Sequence, residues 1–194
     1  MTFVGIRNTW KERQSEKHDQ RVTALTAASL AACIGLALRA QDKDTLKDAN
    51  GIAFSEFRGY ESWELLAPSV TEDGIKGIVG NPAMVKAYKD GIPGNGKPFP
   101  DGSRSAKIEW KKVKNLDSPY TVEVPDTLKS VALMMKDSQR FPETNGWGYA
   151  QFSYDAGTGR FKPHSEDKNF PKVCHDCHNT VKSADYVWTR HPQR

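Results

Sequence analysis

Five residues near the end of the chain, Cys174-His175-Asp176-Cys177-His178, constrain it more than any other feature. The pattern Cys-x-x-Cys-His is the attachment signature of a c-type haem. Two residues between the thiols put both sulfurs within reach of the two vinyl groups on one side of a porphyrin, where each forms a thioether. The histidine that follows turns its imidazole beneath the iron as proximal ligand. Cys174 and Cys177 are therefore the predicted anchors, and His178 the predicted iron ligand, of one haem c per chain. Two other chemistries use paired cysteines. A structural zinc site needs four Cys or His ligands, and without a second Cys-x-x-Cys it would have to recruit His164, His175 or His191. A redox dithiol normally follows a strand in a thioredoxin-like βαβ unit, whereas this motif follows a Pro-containing loop at 162–172.

A haem attached through thioethers fits a chain that is exported, and the N-terminal region reads that way. Residues 22–38, VTALTAASLAACIGLAL, are apolar or small throughout, follow a charged stretch and lead into Arg39-Ala40-Gln41. This is the pattern of a signal peptide with cleavage after Ala40, and it predicts a periplasmic protein. Two alternatives use the same run. It is shorter than the roughly 20 apolar residues of a membrane anchor, and Leu30-Ala31-Ala32-Cys33 resembles a lipoprotein cleavage box but is followed by the apolar 34–38. Membrane association is expected only if the leader is retained or lipidated. The predicted organisation is a leader at 1–40, an extension at 41–54 and a haem domain at 55–194.

Composition agrees with one soluble domain: 194 residues, 37% apolar, mean hydropathy −0.67. The net charge of +4 invites a nucleic-acid reading, but three of the four surplus charges lie in residues 1–40, leaving 22 basic against 21 acidic side chains in the rest. No nucleic-acid partner is expected. Three cysteines are too few for a disulfide scaffold, and Cys33 belongs to the leader.

Along the remaining chain, AMVKAYKDG reads as a short helix begun by Pro82 and ended at Gly91. The Gly- and Pro-rich run 91–102 excludes helix and central strand. Residues 105–113 alternate, with Ala106, Ile108 and Trp110 on one face and Lys107, Glu109 and Lys111 on the other, as in a half-buried strand. Further strands are predicted at 121–124 and 147–154, and 126–137, with Leu128, Val131, Leu133 and Met134 at helix-like spacing, reads as a helix. The fold class predicted is α+β on an antiparallel sheet.

The run KDSQRFPETNGWGYAQF (136–152), the single Cys-x-x-Cys-His and then ADYVWTR (184–190) resemble the cytochrome P-460 family. NPAMVKAYKDG and FPDGSRSAKIEW (99–110) are similar to its upstream part. The resemblance implies a largely antiparallel sheet with packed helices and one haem near the C-terminus. It implies an oxidoreductase acting on hydroxylamine, as in the best-known members, or a protein binding nitric oxide and carbon monoxide, as in the related cytochrome c′-beta branch. A six-coordinate electron-transfer cytochrome is the remaining alternative. A small nitrogen compound, a periplasmic electron carrier and a second copy of the chain are the implied partners. In the hydroxylamine-oxidising members a lysine, five residues beyond an Asp-Gly turn, is bonded to a meso carbon of the haem. Asp101-Gly102 and Lys107 have that spacing, which makes Lys107 the candidate cross-linking residue; its alternation with Glu109 and Lys111 equally suits a solvated face.

Other candidates are weaker. Arg140 and Trp147 lie in the resembling motif and could contact the haem propionates and ring, Trp147 being equally suited to anchor the core. His164 and Glu166, with Asp167, precede the haem motif and could supply a general base. Lys76 could point a charge toward the ligand. Met84, Met134 and Met135 are candidate thioether ligands of a closed iron site, but methionines at such positions more often pack cores.

Overall fold

The computed structural model describes residues 43–192; the predicted leader and its Cys33 lie outside the described residues. Six strands form one antiparallel sheet in sequential order: β1 (Glu64–Thr71), β2 (Gly74–Gly80), β3 (Arg104–Lys114), β4 (Glu123–Lys136), β5 (Trp147–Asp155) and β6 (Arg160–Pro163). Helix α1 (Pro82–Lys89) joins β2 to β3, and α2 (Phe170–His178) follows β6. The predicted α+β class holds.

The alternation predicted for β3 is what the sheet uses. Val79, Ala106, Leu133 and Ala150 form one cross-strand row, and with Val131, Met135 and Phe152 they line a closed face. Ile52, Phe54, Phe57 and Tyr60, from a segment containing two 3₁₀ turns, cover that face. Residues 43–54 are thus not a separate extension in packing terms, since Ile52 and Phe54 are fully buried. Outside the apolar contacts, Arg140 binds Glu56 at 2.7 Å and the Gly51 carbonyl at 3.0 Å.

The adjacent row, Ile78, Lys107, Ala132 and Gln151, points to the other face, because successive strand residues alternate sides. Here Leu66, Ile78, Trp147, Tyr149 and Val187 pack with α1 and Phe99, and Met134 and Cys174 lie against them.

The helix predicted at 126–137 is overturned: residues 126–136 belong to the 14-residue strand β4. In a central strand with both faces at least partly covered, Val131, Leu133 and Met135 pack on one side and Ala132 and Met134 on the other, so apolar residues become consecutive and imitate a helical stripe. Pairing with β3 and β5 decides the outcome. The predicted helix after Asn81 is present. Asn81 accepts the Met84 and Arg104 amides, both at 3.0 Å, so one side chain caps α1 and ties it to β3. The Gly- and Pro-rich run 91–102 is irregular and carries Phe99 into the core at 1% exposure.

Candidate haem site

Helix α2 starts with Pro171 in its first turn and carries the whole motif. Positions 174, 177 and 178 stand at i, i+3 and i+4, so both thiols and the histidine share one helical face. Neither cysteine is in a disulfide, and Cys174 is half-buried while Cys177 is exposed. Burial pushes the Cys174 thiol up, with Lys107 pulling the other way. The helix packs on β5 through Tyr149: the Tyr149 ring lies 5.8 Å from that of His175 and 5.1 Å from that of His178, and its hydroxyl bonds His175 Nδ1 at 3.2 Å.

His178 Nδ1 lies 2.7 Å from the Tyr186 carbonyl oxygen. A carbonyl only accepts, so Nδ1 carries the proton and Nε2 is left with its lone pair outward, the tautomer a metal requires. Burial holds this histidine below its ordinary value, although the Tyr186 contact works against that shift, and the ring is neutral at neutral pH.

Lys107 sits on the face that α2 packs against. It is half-buried, and burial, aided by the Lys76 charge, holds its ammonium below the ordinary lysine value. It is close enough to Cys174, Cys177 and His178 to interact electrostatically with each. The polar stripe that alternation marks on β3 is therefore the site face. Its neighbour Glu109 bonds Lys129 at 2.7 Å; burial would raise this carboxyl, but Lys129 and Lys76 hold it below the usual range.

The residues fit a thioether-bound macrocycle. On the closed face Ala106, Leu133 and Ala150 are 0%, 1% and 3% exposed, while Lys107, Ala132 and Gln151, one residue along on the same three central strands, stay half-buried. A partly open shelf with apolar flanks beside two thiols and a lone-pair nitrogen suits a flat aromatic ligand. A zinc site is not assembled, since among the described residues no group of three or more His, Cys, Asp or Glu gathers. His164 bonds Ser153 at 2.9 Å, and His191 stacks on Tyr88.

The other predicted residues are placed as follows. His164 lies beside Phe170 at the start of α2, and Glu166 is exposed in the loop before it. Trp147 is fully buried, edge-on to Phe99. Arg140 is held among the closed-face residues by Glu56. Lys76 bonds Thr71 at 3.2 Å. Met135 is a core residue of the closed face, whereas Met84, fully buried on α1, belongs to the site-face cluster and Met134 packs against that cluster partly buried.

Sequence reasoning missed Tyr149, Tyr186, Lys136 and Asp185. Lys136 ends the apolar run of β4 yet is 6% exposed; it binds Asp185 at 2.9 and 3.0 Å and lies 4.9 Å over the Trp147 ring. A charge terminating an apolar strand, and an Asp-Tyr pair shortly after the haem motif, were the available signals.

No curated protein matches the chain. Cytochrome P-460 matches residues 57–189, which span the whole sheet, the Cys-x-x-Cys-His helix and the turn that holds His178. The chain belongs to the cytochrome P-460 family and is accordingly a c-type haem protein.

Proposed function

We propose that this is an exported cytochrome whose single haem c is anchored by Cys174 and Cys177, ligated by His178 and left open above the iron for a small nitrogen compound, hydroxylamine or nitric oxide. The observation that carries this reading is the convergence of both thiols, the outward Nε2 of His178 and the half-buried Lys107 on one partly open face. When bound, the haem supplies the redox chemistry, and a periplasmic carrier would take the electrons.

The side chains do the rest. His178, neutral and fixed by Tyr186, donates its Nε2 lone pair. Lys107, whose charged form is disfavoured by burial, offers an amine on the macrocycle side. With the haem bound, Lys107 would be the residue placed to hold the ring through its amine. His164 and Glu166 are the proposed bases that would accept the substrate's protons, His164 with its Nδ1 committed to Ser153.

Optical spectra and turnover of the mature holoprotein test this. The proposal expects high-spin iron that binds carbon monoxide, a ferrous band shifted well to the red, and hydroxylamine oxidation that is lost in Lys107→Arg. Retained oxidation in that variant removes Lys107 from the chemistry. An ordinary c-type spectrum with carbon monoxide or nitric oxide binding favours a gas-binding cytochrome. Low-spin iron that binds neither gas favours a six-coordinate electron carrier.

A further inference from the structure

The turn that supplies the Tyr186 carbonyl is backbone of an unfavourable kind. Asp185 has φ +48° and Tyr186 φ +64°, both left-handed and neither glycine. Two consecutive L-residues in this region persist only where surroundings over-determine them. The surroundings do so here. The Asp185 carboxylate is gripped from two directions: by Lys136 Nζ at 2.9 and 3.0 Å, and by the Phe99 amide, which donates at 2.8 Å. Lys136 is itself fixed, donating to the Asn145 carbonyl at 3.0 Å and lying over Trp147. The two charged side chains are only 7% and 11% exposed. Tyr186 is then held through its amide on Val181 at 3.2 Å and its ring stacked on His175, and Val187 plugs into the core at 4% exposure.

A buried ion pair is a costly way to gain stability, since desolvation offsets most of the attraction. It is an effective way to fix a geometry. We propose that Lys136 and Asp185 are positioning residues for the iron ligand: by clamping the 185–186 turn they hold the Tyr186 carbonyl on His178 Nδ1–H, and so set the orientation and basicity of the imidazole. The proposal rests on His178 being the ligand. A carbonyl accepting from Nδ1–H makes the imidazole electron-rich and favours ferric over ferrous iron, as partners behind a ligating histidine do in general.

The test uses the mature holoprotein and two readouts, the resonance Raman iron–histidine stretch of the ferrous form and the haem midpoint potential. Asparagine tolerates left-handed backbone, so Asp185→Asn removes the charge while sparing the turn's conformational preference; Lys136→Met removes the cation, and Lys136→Arg keeps it. We expect the stretch to move to lower frequency in Asp185→Asn and Lys136→Met, with Lys136→Arg near the parent. A tenfold loss of ferric preference raises the potential by about 59 mV for one electron. Glu56→Gln, on the closed face, is the control that lowers stability without moving either readout. An unmoved stretch and potential in both charge-removing variants overturn the proposal, as does an equal shift in Glu56→Gln. Absence of any iron–histidine band in a parent whose ferrous iron is high-spin instead overturns the ligand assignment beneath it.

Discussion

A histidine can offer a metal only one ring nitrogen, and for His178, the ligand proposed here, the tautomer is set eight residues downstream, where the Tyr186 carbonyl accepts a hydrogen bond from Nδ1–H. The cysteines and His178 were legible in the sequence because thioether chemistry fixes their spacing. The Tyr186 contact was not, since a backbone carbonyl has no residue signature. Lys107 was legible as a position and ambiguous as an environment: alternation shows that it shares a face with Glu109, but not that α2 returns from 70 residues away to pack over that face. Arg140 shows the converse. Its motif pointed to the haem, whereas its guanidinium is taken by Glu56. That pair makes a pH prediction. Burial alone would raise the Glu56 carboxyl, but Arg140, with the Ala53 amide and the Arg104 charge, more than offsets this and holds it below 4.5. The stabilisation is therefore complete above 4.5 and lost as pH falls through the lowered value. Glu56→Gln should cost about 1 kcal/mol at pH 7, the upper end for a partly exposed pair, and nothing once Glu56 is protonated in the parent. Urea unfolding of both proteins at pH 7 and in acid checks this; an unchanged gap in acid contradicts it.

At the scale of elements, the short helix, the Gly- and Pro-rich crossover and β3 follow directly from local signals: a cap at Asn81, breakers at 91–102 and two-residue alternation. β4 does not. Its apolar residues are consecutive because both its faces meet side chains, and only its partners, ten registered pairs with β3 among them, distinguish it from a helix. Leu133, 1% exposed at the middle of this strand, tests the assignment. Leu133→Ala should destabilise by about 2–5 kcal/mol through lost burial and a residual cavity, whereas Ala132→Leu on the half-open face should cost far less stability and disturb haem loading instead. The β1–β2 turn makes a sharper case: a Cβ on Gly74 would run into the Trp110 carbonyl oxygen, backbone that cannot step aside. Gly74→Ala should therefore lower the midpoint of thermal unfolding, and an unshifted midpoint would refute the close approach of β2 to β3 at this point.

For the whole molecule, the organising fact is that the sheet has one face shut by its own N-terminal segment and one face that packs against α1 and α2, where the proposed function puts the haem. That division explains why the segment before the family match matters. A chain beginning at residue 55 would lose Ile52 and Phe54, both fully buried. Deleting a large buried side chain typically costs about 3–5 kcal/mol, so this truncation should unfold at lower denaturant than the chain beginning at 41. Equal midpoints would show that 43–54 is a dispensable extension after all. The central claim is that Cys174 and Cys177 carry the haem while Lys107 faces it, and peptide mapping of the mature holoprotein tests it most directly. Trypsin should release residues 173–182 bearing the haem mass, with neither thiol open to alkylation; where Lys107 is bonded to the ring, residues 105–111 should leave attached to the same peptide. A haem that extracts freely into acidified solvent, with both thiols alkylated, would contradict the account.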